Sequence, residues 1–151
     1  MASLDISYAE DIKPFPSEFV SSIKTIFNVV ERKYRLDSNV EVVFIDNTYM
    51  QFLNSNFRQK DGTTDVLSFD LGIPAGLSEA GVVNKEIYIS VEQAFQQATD
   101  LDLSLTEELR RLFLHGLLHL YGWEHKTEAE LILMEQEARS ILHLCKRPIL
   151  Y

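Results

Sequence analysis

"HGLLHLYGWEH", His115 to His125, closes a run in which Leu109, Leu112, Phe113, Leu114, Leu117, Leu118 and Leu120 leave almost no polar side. A helix that is apolar nearly all round belongs in the interior, not on a surface. Gly122 follows His119 by three residues. A glycine in that place ends a helix in the left-handed conformation and turns the chain back. The stretch therefore reads as a central buried helix with a sharp return, around which the remaining elements must pack.

Reading outward, Ser104 with Glu107 forms a capping-box pattern that starts this helix, and Thr127 with Glu130 starts a last helix running to about Leu144. Ser90 with Gln93 repeats the pattern, so another helix begins at Val91. Upstream, "LDISYA" (Leu4 to Ala9) alternates apolar and polar residues, as a strand does. Ser17, after Pro14 and Pro16, is placed to cap a helix to about Arg35 with Phe19, Val20, Ile23, Ile26, Phe27 and Val30 on one face. "VEVVFID" (Val40 to Asp46) is rich in β-branched residues and reads as a buried strand. Asp46 or Asn47 caps a helix carrying Met50, Leu53 and Phe57. "TDVLSF" (Thr64 to Phe69) and "EIYIS" (Glu86 to Ser90) supply two more strands, and the glycine-rich segment Gly72 to Val83 reads as a mobile surface loop. Strands alternating with helices early and helices late predict a single α+β or α/β domain over residues 1–151, with a mixed sheet of about four strands and about five or six helices.

Composition narrows the setting. A hydrophobic fraction of 46% and a charged fraction of 25% are those of a globular protein with a real core. No apolar run reaches the roughly 18 residues of a membrane span. The opening residues, MASLDISYAEDIK, lack a basic and then apolar leader, so no signal peptide is expected. Cys145 is the single cysteine, which excludes an internal disulfide and fits the cytoplasm. The net charge of −9 argues against broad, non-specific binding to nucleic acid, though bulk charge does not forbid a local basic cleft.

The chemistry lies in the histidines. His115 and His119 are four apart, so they share one helix face. The turn at Gly122 lets His125 come back to the same point. Three imidazoles can hold Zn²⁺ while leaving a fourth position open, the pattern of a catalytic rather than a structural site. A single histidine on such a helix is ordinarily a hydrogen-bonded core residue; three within eleven residues, with a glycine at the turn, favour a metal site. His143 lies outside the cluster and reads as surface.

The spacing nearly reproduces the zinc-protease signature H-E-x-x-H-x-x-G-x-x-H, in which the glutamate is the general base. Here that position is Gly116, which cannot serve as a base. Glycine inside a helix costs about 1 kcal/mol relative to alanine. Two reasons for it stay open: room beside the metal for a bulky substrate, or close packing of the helix on a strand. Those proteases also place a methionine in a tight turn, whereas Met134 falls in a helical pattern.

The block His115-Gly116-Leu117-Leu118-His119-Leu120-Tyr121-Gly122-Trp123-Glu124-His125 resembles the H-G-x-L-H-L-x-G-[YW]-D-H signature of the YbeY family of metal-dependent endoribonucleases, departing from it only at Glu124. The run from Leu53 to Phe69, LNSNFRQKDGTTDVLSF, is similar to the family's second block. A third block, usually G-D-I-x-I, reads Asn84-Lys85-Glu86-Ile87-Tyr88-Ile89, with Glu86 in the acidic slot, where the resemblance suggests an acid that orients a ligand.

The resemblance implies an α+β fold with the metal in a cleft, and zinc-dependent hydrolysis of single-stranded RNA in 3′-end maturation of ribosomal RNA and ribosome quality control. It implies His115, His119 and His125 as ligands of one Zn²⁺ per chain (another divalent ion such as Ni²⁺ would suit the same donors), and a functional arginine at Arg58. Such an arginine can grip phosphate oxygens through two parallel bonds. Asp65 and Glu124 are candidate partners for the far nitrogens of the ligating histidines. Lys60, Lys85, Arg110 and Arg111 could add positive charge but read better as a solvated face. Expected partners are a ribosomal RNA precursor in the small subunit and ribosomal or assembly proteins, with no DNA and no membrane. Two rivals remain at this level: a zinc metalloprotease, which Gly116 disfavours, and a non-catalytic assembly factor with a structural zinc.

Overall fold

The computed structural model describes residues 2–35, 37–57, 65–72 and 82–146. In chain order the elements are β1 (Ser3–Tyr8), α1 (Ser17–Tyr34), β2 (Asn39–Ile45), α2 (Asn47–Phe57), β3 (Val66–Asp70), β4 (Lys85–Ser90), α3 (Val91–Leu101), α4 (Leu105–Leu120) and α5 (Glu128–Cys145). The four strands form one sheet in the order β1-β2-β4-β3. β1, β2 and β4 run parallel, and β3 is antiparallel to β4. This is an α+β architecture with a small mixed sheet, one of the two classes the pattern allows and the one the resemblance implies.

The local signals act where the sequence puts them. Ser104 and Glu107 make both halves of a capping box at the start of α4. The Ser90 and Thr127 side chains accept from the backbone N–H of Gln93 and Glu130 and cap α3 and α5. Asp46, rather than Asn47, caps α2, its Oδ1 accepting from Tyr49 N–H at 2.8 Å. Ser17 departs from expectation. It is the first residue of α1, Pro16 occupies the cap position, and no side chain caps that end. Proline there presets the backbone and offers no N–H. The segment read as a loop, Gly72 to Val83, lies largely outside the described residues.

Strand alternation divides the interior in two. Val40, Val42, Phe44, Ile87 and Ile89 point to one face, where they join α1, α4 and Met134 and Ile141 of α5 in the main core. Ile45 and Leu67 meet Met50 and Leu53 of α2 on the other side. Phe57, expected beside Met50 and Leu53, is instead 63% exposed and touches the edge of Phe69. Leu109, Leu112, Phe113, Leu114, Leu117 and Leu118 are all buried, so α4 is the central helix its composition demands. Among the described residues, no helix is long and apolar enough to cross a membrane.

Candidate metal centre

α4 carries His115 and His119 to its C-terminal end, and the turn beyond it brings up His125. Gly122 adopts φ +99°, a conformation that favours glycine. Its N–H bonds the His119 carbonyl at 3.1 Å, while Trp123 N–H bonds the Leu118 carbonyl at 3.0 Å. This pair of bonds is the Schellman closure of a helix. It satisfies two terminal carbonyls and reverses the chain within two residues. The three imidazole rings then stand 4.6–5.3 Å apart, centre to centre. One ring nitrogen from each lies within 4.8 Å of the other two.

The chemistry of this donor set fits a divalent transition metal. Neutral imidazole nitrogen suits Zn²⁺, Ni²⁺ or Cu²⁺, whereas Mg²⁺ and Ca²⁺ want oxygen. Two features hold the histidines in the right form. His119 Nδ1 lies 2.9 Å from the Trp123 carbonyl oxygen. A carbonyl only accepts, so Nδ1 carries the proton and Nε2 keeps its lone pair for an ion. Burial depresses the pKa of His115 to about 4, helped by the neighbouring His119, His125 and Arg111 and opposed by Asp65. At neutral pH His115 is therefore an unprotonated donor. His125 is exposed and the other two are half-buried, which opens the centre to solvent. A hollow of about 310 Å³ lined by Tyr121, Gly122, Trp123, Glu124, Glu130 and Leu133 borders the turn.

The two proposed carboxylate partners differ. Asp65 lies within electrostatic reach of both His115 and Arg111. Glu124 is 55% exposed and reaches Lys126 at 3.5 Å. His119 also has a backbone partner, the carbonyl of Trp123, which no side-chain pattern announces. Arg58 and Lys60 lie outside the described residues.

Gly116 is explained by packing. A Cβ built on it would lie 3.0 Å from Ile87 Cγ2, 3.0 Å from Ser68 Oγ and 3.1 Å from Val66 Cγ2. The Ser68 hydroxyl donates to the Gly116 carbonyl at 3.0 Å. The missing side chain lets α4 lie directly on β3 and β4; it faces the sheet, not the metal.

Glu86 also faces away. Ile87 points toward α4, so its neighbours Glu86 and Tyr88 point to the opposite side of the sheet. An orienting role for Glu86 at the histidines does not survive that placement. Asp5, Glu41 and Glu86 are in register across β1, β2 and β4 and line that far face together. Part of the chain's negative charge is thus held on the side away from the centre.

Lys85, Arg110 and Arg111 are not a solvated face. Lys85 pairs with Asp70 at 3.1 Å, and Arg110 donates to Ser22 Oγ at 2.8 Å over the ring of Phe19. Arg111 grips the fully buried Glu108 through Nε and Nη2, at 2.5 and 2.7 Å. The spacing of Arg111 and His115, four apart, is a signal for its nearness to the site, and the three-residue step from Glu108 to Arg111 is one for their pairing.

Comparison with known proteins shows the family. The family described as Endoribonuclease YbeY matches residues 6–146. Curated relatives of that name include one from Nautilia profundicola, 36% identical over 83% of this chain and 84% of its own. Another, from Aster yellows witches'-broom phytoplasma, is 39% identical over 82% and 79%. A third, from Malacoplasma penetrans, is 33% identical over 93% and 94%. A solution structure of a Thermotoga maritima protein shares the fold, with a TM-score of 0.60 and 23% identity over 93% of this chain and 90% of that one. With a family match along nearly its whole length and relatives above 30% identity, the chain belongs to the endoribonuclease YbeY family.

Proposed function

We propose that this protein is a cytoplasmic, zinc-dependent endoribonuclease that hydrolyses phosphodiester bonds in ribosomal RNA precursors, in 3′-end maturation and ribosome quality control. The observation that carries the reading is the convergence of His115, His119 and His125, with His119 held in its metal-binding tautomer by the Trp123 carbonyl. Membership of an endoribonuclease family supports RNA as the substrate.

The chain's own groups divide the work. The three histidines would hold the ion, and His125, the exposed one of the three, would leave it within reach of solvent and substrate. When bound, Zn²⁺ would supply Lewis-acid charge to a phosphate and acidify a water near neutral pH. Arg58 is assigned to the phosphate oxygens, where negative charge grows during cleavage. Hydrolysis adds water across the phosphodiester and leaves a phosphomonoester and a free hydroxyl. Gly116, at the sequence position where the zinc-protease signature has its base, offers no carboxylate and faces the sheet.

The test combines metal analysis with cleavage of a ribosomal RNA precursor fragment on one preparation. We expect about one Zn²⁺ per chain, RNA cleavage abolished by a chelator and restored by Zn²⁺, and no cleavage of peptides. His119→Ala should lose metal and cleavage together. Failure to take up any divalent ion, or cleavage indifferent to the chelator, refutes the proposal.

A further inference from the structure

The Trp123 carbonyl that orients His119 belongs to the turn after α4, whose Schellman bonds hold the Trp123 N–H, and a chain of side chains ties down the Trp123 ring. Trp123 Nε1–H donates to the Tyr34 hydroxyl at 3.0 Å. The Tyr34 hydroxyl in turn donates to Glu137 Oε2. Lys33 Nζ holds the other oxygen of Glu137 at 2.8 Å. Tyr34 and Lys33 end α1, Glu137 lies in the middle of α5, and Trp123 lies between α4 and α5. The direction of each bond in the chain is fixed. The indole only donates and the carboxylate only accepts, so the phenol must accept from one and donate to the other. Burial, and then the Glu137 carboxylate, raise the Tyr34 pKa to about 12, which keeps that phenolic proton in place. The Tyr34 ring also packs against Tyr121, the residue closing α4, at 5.7 Å.

We infer that Tyr34 and Glu137 are positioning residues of the metal centre: by fixing the Trp123 side chain they fix its carbonyl against His119 and the short path to His125. The inference rests on the metal reading above. The effect is mechanical. The indole and the carbonyl of Trp123 are joined only through its Cα, so what passes between them is orientation and not charge. A turn already held in its bound shape has less freedom to lose when an ion arrives, and that saving appears as affinity. Groups that orient a ligating histidine are typically worth 10–100-fold in metal affinity. Tyr34 acts through Trp123, so its share lies near the lower end, about tenfold.

The experiment measures Zn²⁺ affinity by competition with a chromophoric chelator at neutral pH. The proteins are the metal-free wild type, Tyr34→Phe, Trp123→Phe and the double variant, with melting temperatures of the same metal-free samples. Trp123→Phe keeps an aromatic ring and the backbone carbonyl and removes the indole donor together with part of the ring, so the melting temperatures register the lost packing. We expect each single variant to bind Zn²⁺ about tenfold more weakly, and the double variant to bind no more weakly than the weaker single one. Such non-additivity marks one shared path, whereas independent losses of stability add. Glu137→Gln, which keeps an acceptor for the phenol, should retain affinity better than Glu137→Ala. Wild-type affinity in Tyr34→Phe, or additive losses in the double variant, overturns the inference while leaving the metal site standing. A wild type that binds no Zn²⁺ removes both.

Discussion

Replacing Gly116 by alanine is the sharpest test of how α4 is seated. The added methyl would stand about 0.4–0.5 Å inside ordinary contact with carbon or oxygen of Val66, Ser68 and Ile87, which sit on two adjacent strands. Ile87 is fully buried, and β-branched side chains have few rotamers to retreat into. Overpacking of a tight core typically costs 1–3 kcal/mol. Alanine returns about 1 kcal/mol through better helix propensity. The net expectation is a loss of up to about 2 kcal/mol, centred on about 1 kcal/mol, which for a chain of this length centres on a fall of roughly 2–4 °C in Tm. Thermal unfolding of the metal-free protein measures it. Ser68→Ala removes one of the three obstructing atoms, so the pair Ser68→Ala/Gly116→Ala should cost less than the sum of the singles. A rise in Tm for Gly116→Ala, as an exposed helix glycine would give, refutes the packing account.

Arg58→Ala should keep its zinc and its Tm but lose roughly 10²–10³-fold in RNA cleavage, with Arg58→Lys recovering part, since an ammonium lacks the planar fork; normal cleavage by the alanine variant would return Arg58 to the surface. Arg111→Ala should cost about 2 kcal/mol or more, far beyond a surface change, because it strips the partner from the fully buried Glu108 carboxylate; urea unfolding reads this directly. The raised pKa of Tyr34 has a definite sign. A group whose folded pKa lies above its unfolded value contributes stability that is complete below pH 10, the unfolded value, and is lost as pH rises through about 12. Between those limits the wild type should lose Tm faster than Tyr34→Phe, and parallel curves would contradict it.

What the chain discloses along its own length is local. Four-residue spacing on a helix puts His115 and His119 on one face whatever surrounds them, and a glycine three residues on ends that helix because left-handed backbone suits little else. Side chains that cap a helix do so within three residues, which is why Ser90, Ser104, Thr127 and Asp46 behave as their patterns require. β-branched and alternating residues likewise mark the four strands. None of these needs a distant partner.

What the sequence leaves open depends on residues far apart in the chain. Gly116 could equally serve a substrate or a strand; it is Ser68, 48 positions away and bonded to its carbonyl, that decides for the strand. Glu86 matches a family slot, but the pleat of β4 and the choice of face for α4 turn it away from the histidines. Tyr34 meets Trp123 across 89 positions and Glu137 across 103, so no window along the chain contains the three together. Arg111 reads like any surface cation because its partner's burial is a property of the packed helix, not of the three-residue step between them. Sequence by itself determined which groups could hold a metal, since short-range geometry is set by the backbone. Only the tertiary structure decided which groups hold those ligands still, since hydrogen-bond partners are chosen by how the helices pack.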